Sequence, residues 1–195
     1  MRELFASFVN SFKTNKLKYI VAIVIISLLY ANIILVPTMV SAYIGLFFAD
    51  AIDEVHELGN YFVQNVNSIE LSINYIFIVM LLISVVVVIS INVSMVISDD
   101  KTYVLKTNAG MPRSEVIKEI LFNSFILMFL SILIGFALAY ILSLVWGVVV
   151  NMVIAVSMWK VFTSMITIIV VGLLASYITF LFSIDKARET KGITK

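Results

Sequence analysis

Four stretches of this chain carry no charged side chain, and each is long enough to cross a bilayer. They are Tyr19–Ala49, Leu71–Ser98, Ile120–Trp159 and Val161–Ile184. A helix needs roughly 20 apolar residues to traverse about 30 Å of hydrocarbon. Composition agrees: 62% of the 195 residues are hydrophobic and 13% are charged, against about half and a quarter in a soluble domain. A soluble core has no room for this much apolar surface, so lipid is the expected solvent for most of it. The expected fold class is an all-α integral membrane protein.

The third run is the longest, yet its second half holds Trp146, Gly147, Asn151 and Trp159. These residues suit an interface better than the bilayer centre. Fitting two spans there would require a turn among lipid-facing residues, where unpaired backbone groups are costly. The sequence therefore predicts four transmembrane helices in one transmembrane domain, 1–195. The spans are placed at 19–44, 72–98, 120–145 and 161–184. An outer segment covers 45–71, a polar loop 99–119, an outer loop 146–160 and a tail 185–195.

Orientation follows from Lys and Arg. Of the 13, twelve fall in three places. Arg2, Lys13, Lys16 and Lys18 precede the first span; Lys101, Lys106, Arg113 and Lys118 lie in the middle loop; Lys186, Arg188, Lys191 and Lys195 form the tail. The other two connections share Lys160 alone. Both termini and the middle loop are expected in the cytoplasm, with the lipid bilayer as a partner. The net charge of +1 gives no reason to expect nucleic acid. The first apolar run is too long for a cleaved signal's h-region of about 7–15 residues, so it reads as an uncleaved anchor.

Before that run, Leu4, Phe5, Phe8, Val9 and Phe12 share one helical face, and Lys13, Lys16 and Lys18 follow. This predicts an amphipathic interfacial helix over 2–18; the plainer alternative is a basic flank that only sets orientation. Pro37 is expected to bend the first span or free a carbonyl. In the outer segment Ile52, Val55, Gly59, Phe62, Val66 and Ile69 keep the rhythm of a coiled-coil seam, and Gly59-Asn60 is a turn signal. Two short outward helical extensions satisfy both.

Small residues recur every four positions in the third span: Ser131, Gly135, Ala139, Ser143 and Gly147. Packing drives helix association in lipid, and small residues allow close approach, so this row is expected to face protein. Shorter rows are Ser90, Ser94, Ser98 and Ala175, Thr179, Ser183. Asn32, Asn92 and Asn123 are expected to make interhelical hydrogen bonds. No acid, base or histidine lies within the spans as placed, which argues against an ion-driven carrier.

Nothing here predicts an enzyme. There is no GxxxxGK[ST] loop, no HExxH and no cysteine, which leaves no thiolate metal site. His56 is the one histidine; set among acids, it reads as a surface group rather than a metal ligand. No catalytic residue, metal or bound cofactor is expected in this chain.

The middle loop, VLKTNAGMPRSEVIKE, has a readable grammar. Helix continues past the second span, Asn108-Ala109-Gly110 stops it, and Pro112 starts the next helix toward the third span. The result is a polar corner between two helices. At this point the sequence resembles the FtsX-like or MacB-type permeases of ABC transporters. LKTNAGMPRSEVIKEILFNSFILMFLSILIGFALAYIL is similar to the family signature, SFKTNKLKYIVAIVI to its amphipathic entry, and the four-span order also matches. The resemblance implies a dimeric permease, from two copies or two similar chains, seated on an ABC ATPase subunit that binds ATP and Mg in a separate chain. Mapped onto this sequence, the ATPase-coupling residues are Lys106, Gly110, Met111, Pro112, Arg113, Ser114 and Glu115. Family members typically carry a large outer domain between the first two spans; here about 25 residues stand there, less than one small domain. That short segment points to amphipathic peptides or lipid-like substrates taken from the membrane, or to an outer partner such as a cell-wall hydrolase controlled as in FtsX-like proteins. A four-helix scaffold or immunity protein without an ATPase is a further alternative.

Overall fold

The computed structural model describes residues 2–52, 59–150 and 156–192. Five helices form in order: α1 (Arg2–Thr14), α2 (Lys16–Ile52), α3 (Gly59–Asn108), α4 (Arg113–Val150) and α5 (Met158–Gly192). Four of them contain segments long and apolar enough to cross a membrane: Lys16–Ile44, Ser68–Asp99, Arg113–Val150 and Met158–Phe182. Large apolar side chains such as Leu82, Val86, Leu133, Ile166 and Leu174 point outward along them. A water-soluble surface would not carry them in such density. The chain is a helical multi-pass membrane protein.

The helices outrun the segments expected from sequence, because charge marks where hydrocarbon ends rather than where helix ends. α2 begins at Lys16 and continues to Ile52, running through the buried Pro37 without a break in helix. α3 is a single helix of 50 residues, about 75 Å at 1.5 Å per residue. α4 continues past position 145 to Val150, carrying Trp146 and Gly147 with it. α5 takes in most of the expected tail, reaching Gly192. The expected extensions of α2 and α3 toward the connection 53–58 are helical as far as Ile52 and from Gly59. Val55 and His56 lie outside the described residues, as do Asn151 and Lys195.

The amphipathic N-terminal helix ends at Thr14, short of the expected 18. Asn15 forms an elbow while the hydrogen bonding nearly continues: its N–H donates to the Ser11 carbonyl at 2.9 Å, and its own carbonyl accepts from Tyr19 N–H at 3.2 Å. This elbow folds α1 back onto the bundle. Phe8 is buried, Val9 and Phe12 pack beside it, and Tyr19 meets both phenyl rings edge-on at centroid distances of 5.9 and 5.8 Å. Part of the apolar face expected to rest in lipid is thus spent on protein, leaving Phe5 exposed.

In the bundle α2 packs chiefly on α4, and α3 chiefly on α5, with α2–α3 and α4–α5 closing the square. At the α2–α4 seam the two backbones come close. A Cβ added to Gly135 would lie 2.5 Å from the Ser27 carbonyl oxygen and 3.1 Å from Tyr30 Cβ. Only glycine permits that approach. Ser131, Gly135, Ala139 and Ser143 are buried on this face and Gly147 is half-buried. Three inward serines return their hydroxyls to their own helix, Ser27 to Ile23, Ser84 to Met80 and Ser131 to Leu127, whereas the buried Ser143 hydroxyl has no partner among the described residues. Such back-bonding satisfies a hydroxyl where no water reaches it.

The row Ser90, Ser94, Ser98 does not face inward. Ser90 and Ser94 are exposed, and α3 buries Ser84, Val88, Asn92, Val96, Asp99 and Tyr103 instead. On a helix this long several rows repeat every four residues, and the partners decide which one is covered. In α5 Ala175 is buried and Thr179 half-buried. The asparagines divide three ways. Asn92 accepts a hydrogen bond from Ser176 of α5 at 3.2 Å, Asn32 is exposed, and Asn123 is buried with neither amide atom in a well-formed hydrogen bond.

Candidate functional site

The connection between α3 and α4 is built by its glycine. Gly110 sits at φ +95°, a conformation that side chains with a Cβ rarely adopt. Its N–H donates to the Thr107 carbonyl at 3.2 Å, and Met111 N–H reaches back to the Lys106 carbonyl at 3.1 Å. This pair of bonds is a Schellman closure, which satisfies carbonyls that the end of a helix would leave bare. The Pro112 carbonyl then accepts from the N–H groups of Glu115 (3.0 Å) and Val116 (3.4 Å), which starts α4. Gly110, Met111, Pro112, Arg113, Ser114 and Glu115 are all exposed. Together they form a tip of turned main chain, one apolar side chain and mixed charge.

Lys106 does not join them. Its ammonium turns inward onto Glu119 Oε1 at 2.5 Å, with the lysine side chain 31% exposed and the glutamate 7%. The same carboxylate oxygen also accepts from the Ser7 hydroxyl of α1. Nearby, Asp99 of α3 accepts from the Asn15 side-chain amide at 2.7 Å, and Lys18 donates to the Ser98 hydroxyl at 2.6 Å. Two carboxylates at the ends of the membrane segments are therefore buried: Asp99 is 8% exposed and Glu119 5%. Each is held by hydrogen-bond donors, as a buried charge must be.

Apolar side chains back this polar layer. Val96, Tyr103, Val116, Ile120 and Phe180 form a second cluster beneath the corner, with the Tyr103 and Phe180 rings perpendicular at 6.3 Å. Burial, and then the nearby Asp99, push the Tyr103 phenol well above its ordinary pKa, so it stays neutral. Tyr19, Asn92, Asp99, Tyr103, Asn123 and Ser124 line a small cavity of about 20 Å³. Ser124 and Ser176 lie 2.7 Å apart, oxygen to oxygen, which ties α4 to α5 at this level.

The sequence located the tip but not the layer beneath it. Asp99 and Glu119 read as ordinary loop charges at the borders of apolar runs. One available signal was that each borders an apolar run with no residue between. Among the described residues no group of three His, Cys, Asp or Glu gathers as a metal site.

Four helices long and apolar enough to span a membrane, with an exposed polar corner between the second and third, define a multi-pass helical membrane protein. The sequence profile of the FtsX-like permease C-terminal domain matches residues 74–186, more than half of the chain. The chain belongs to the FtsX-like permease family. The match takes in most of α3, the whole corner, α4 and most of α5; α1 and α2 lie outside it. Comparison with curated proteins gave no match.

Proposed function

We propose that this chain is the membrane subunit of an ABC transporter, seated on a separate ATPase through the corner between α3 and α4. The observation that carries this reading is the exposed tip Gly110–Glu115, held at a fixed angle by the Gly110 closure and joined to two long helices. Family membership supports the ATPase partner. The basic side chains of the N-terminal segment, corner and tail support a cytoplasmic location for all three. On this reading Gly110, Met111, Pro112, Arg113, Ser114 and Glu115 touch the ATPase, while Lys106 sets the base on which they stand. A second permease protomer completes the assembly, since four helices packed face to face enclose no path of their own. Amphipathic peptides, antimicrobial ones among them, or lipid-like molecules are the substrates that suit so small an outer segment. ATP and Mg are bound by the partner.

A second reading has the motion itself as the output, passed to an outer partner such as a cell-wall hydrolase. The helical continuation of α2 to Ile52 and of α3 from Gly59 favours it. Deleting 53–67 separates the two: lost hydrolase control with ATPase coupling intact supports the second, and continued peptide export refutes it.

The test of the main reading is co-purification in mild detergent followed by ATPase assay. An ATPase chain is expected to accompany the wild type and to be stimulated by it. Gly110→Val and Arg113→Glu are expected to abolish stimulation while the protein still inserts. Normal stimulation in both variants contradicts the role given to the tip, and absence of any ATPase chain favours a scaffold or immunity protein.

A further inference from the structure

We propose that Glu119 and Asp99 are positioning residues through which the N-terminal segment braces the two arms of the corner, fixing the spacing of α3 and α4 at rest. This rests on the reading of the corner as the ATPase contact, and it adds a component that lies outside the family match.

Little besides the corner holds α3 and α4 together. They are joined by the tip, yet they lie diagonally across the bundle and pack little on each other. The contacts that set their spacing are therefore concentrated at the corner. One is the apolar cluster of Val96, Tyr103, Val116 and Ile120. The other is the ion pair of Lys106 on α3 with Glu119 on α4.

The N-terminal segment adds a hold on each arm. On α4 it grips Glu119 through Ser7. On α3 it grips Asp99 through Asn15, and Ser98 through Lys18. Phe8 and Phe12 supply the apolar backing by packing on Tyr19. Residues 7–18 thus reach from one arm to the other.

The chemistry makes this a brace rather than a coincidence of neighbours. Burying a carboxylate is unfavourable unless donors replace its water, so Glu119 holds its two partners and they hold it. Ser7 and Lys106 share a single carboxylate oxygen. If the arms separate, Glu119 loses Lys106, and Ser7 is left as its one remaining partner among those described. If α1 lifts, the carboxylate loses Ser7 and leans further on Lys106. The position of α1 and the spacing of the arms are consequently linked, and force applied at the tip reaches α1 without passing through the bilayer-spanning part of the bundle.

The experiment reads the arm spacing directly. The chain has no cysteine, so Thr102→Cys on α3 and Lys118→Cys on α4, both exposed, take spin labels without background. In nanodiscs, with the co-purifying ATPase, the labelled protein is expected to show one narrow distance at rest and a shifted one with ATP bound. Glu119→Gln, and the pair Ser7→Ala with Asn15→Ala, are expected to broaden the resting distance and to lower stimulated ATPase toward the unstimulated rate. Ser7→Thr, which keeps the hydroxyl, is expected to leave both as in the wild type. A resting distance and a stimulation unchanged by Glu119→Gln and by the Ser7/Asn15 pair overturn the brace while leaving the corner's role intact. If no ATPase is bound at all, the reading of the corner fails, and the resting distance alone still decides whether the brace exists.

Discussion

The α2–α4 seam and the corner end are both close contacts between the same few helices, yet they are made of opposite materials. At the seam, Gly135 lies against the Ser27 carbonyl and Tyr30, and serine hydroxyls are tied to their own helices. At the corner end, Glu119 accepts from Ser7 of α1 and Lys106 of α3, and Asp99 accepts from the Asn15 elbow. The difference teaches where motion can enter. A contact held by shape has one arrangement, whereas a contact held by several charge-assisted hydrogen bonds can lose one and keep the rest.

The sharpest way to break this contrast is to fill the seam. Gly135→Val places a branched side chain against backbone, and overpacking of this kind costs about 3 kcal/mol; a matching drop in thermal stability in detergent is expected, while a wild-type melting point would show the seam to be loose. The corner end responds differently. Lys106→Met leaves Glu119 buried with one donor fewer, expected to cost about 2 kcal/mol. Adding Glu119→Leu is expected to recover much of that loss, because the unpaired charge goes with it. Denaturation of the two variants side by side decides, and a double variant worse than the single would mean that packing, not charge, holds this end.

A smaller effect is expected at the tip. Gly110→Ala forces a Cβ into a positive-φ position with open space around it, so only the backbone objects, by about 1 kcal/mol. Asn is tolerated better in this region of φ, and Gly110→Asn is expected to lose less in the same melt. The smallest change is expected at Asn123, whose amide makes no well-formed hydrogen bond and has the Tyr103 phenol beside it. Asn123→Leu exchanges a poorly satisfied group for an apolar one and is expected to stay within about 1 kcal/mol of wild type. A large loss would reveal that this amide carries part of the polar layer.

Much of the bundle was legible in the sequence because charge and hydrocarbon exclude each other. The uncharged runs located the four spans, and Gly110 with Pro112 located the corner. In the row Ser131–Gly147 the four residues up to Ser143 are buried, whereas Ser90 and Ser94 of the other row are exposed, since a four-residue repeat names a stripe and not its neighbour. The polar layer was hidden for a related reason. Ser7 and Glu119 are 112 positions apart, and only the Asn15 elbow brings them together. Lys106 looked like part of the tip because it is basic and near Gly110. Its inward turn depends on a carboxylate that the sequence places in the next helix, on a face that cannot be assigned until α4 has packed.

α3 is built as a lever. It is one unbroken helix of 50 residues, Gly59–Asn108. No proline lies along it, so it has no built-in hinge at which a tilt would be absorbed. Swung by about 5° about its corner end, a rod of about 75 Å carries its opposite tip sideways by about 6 Å. That is more than the width of one strand of polypeptide chain. A displacement small enough to be made by exchanging a hydrogen bond at Glu119 or Asp99 therefore becomes, at Gly59, a movement on the scale of a side chain.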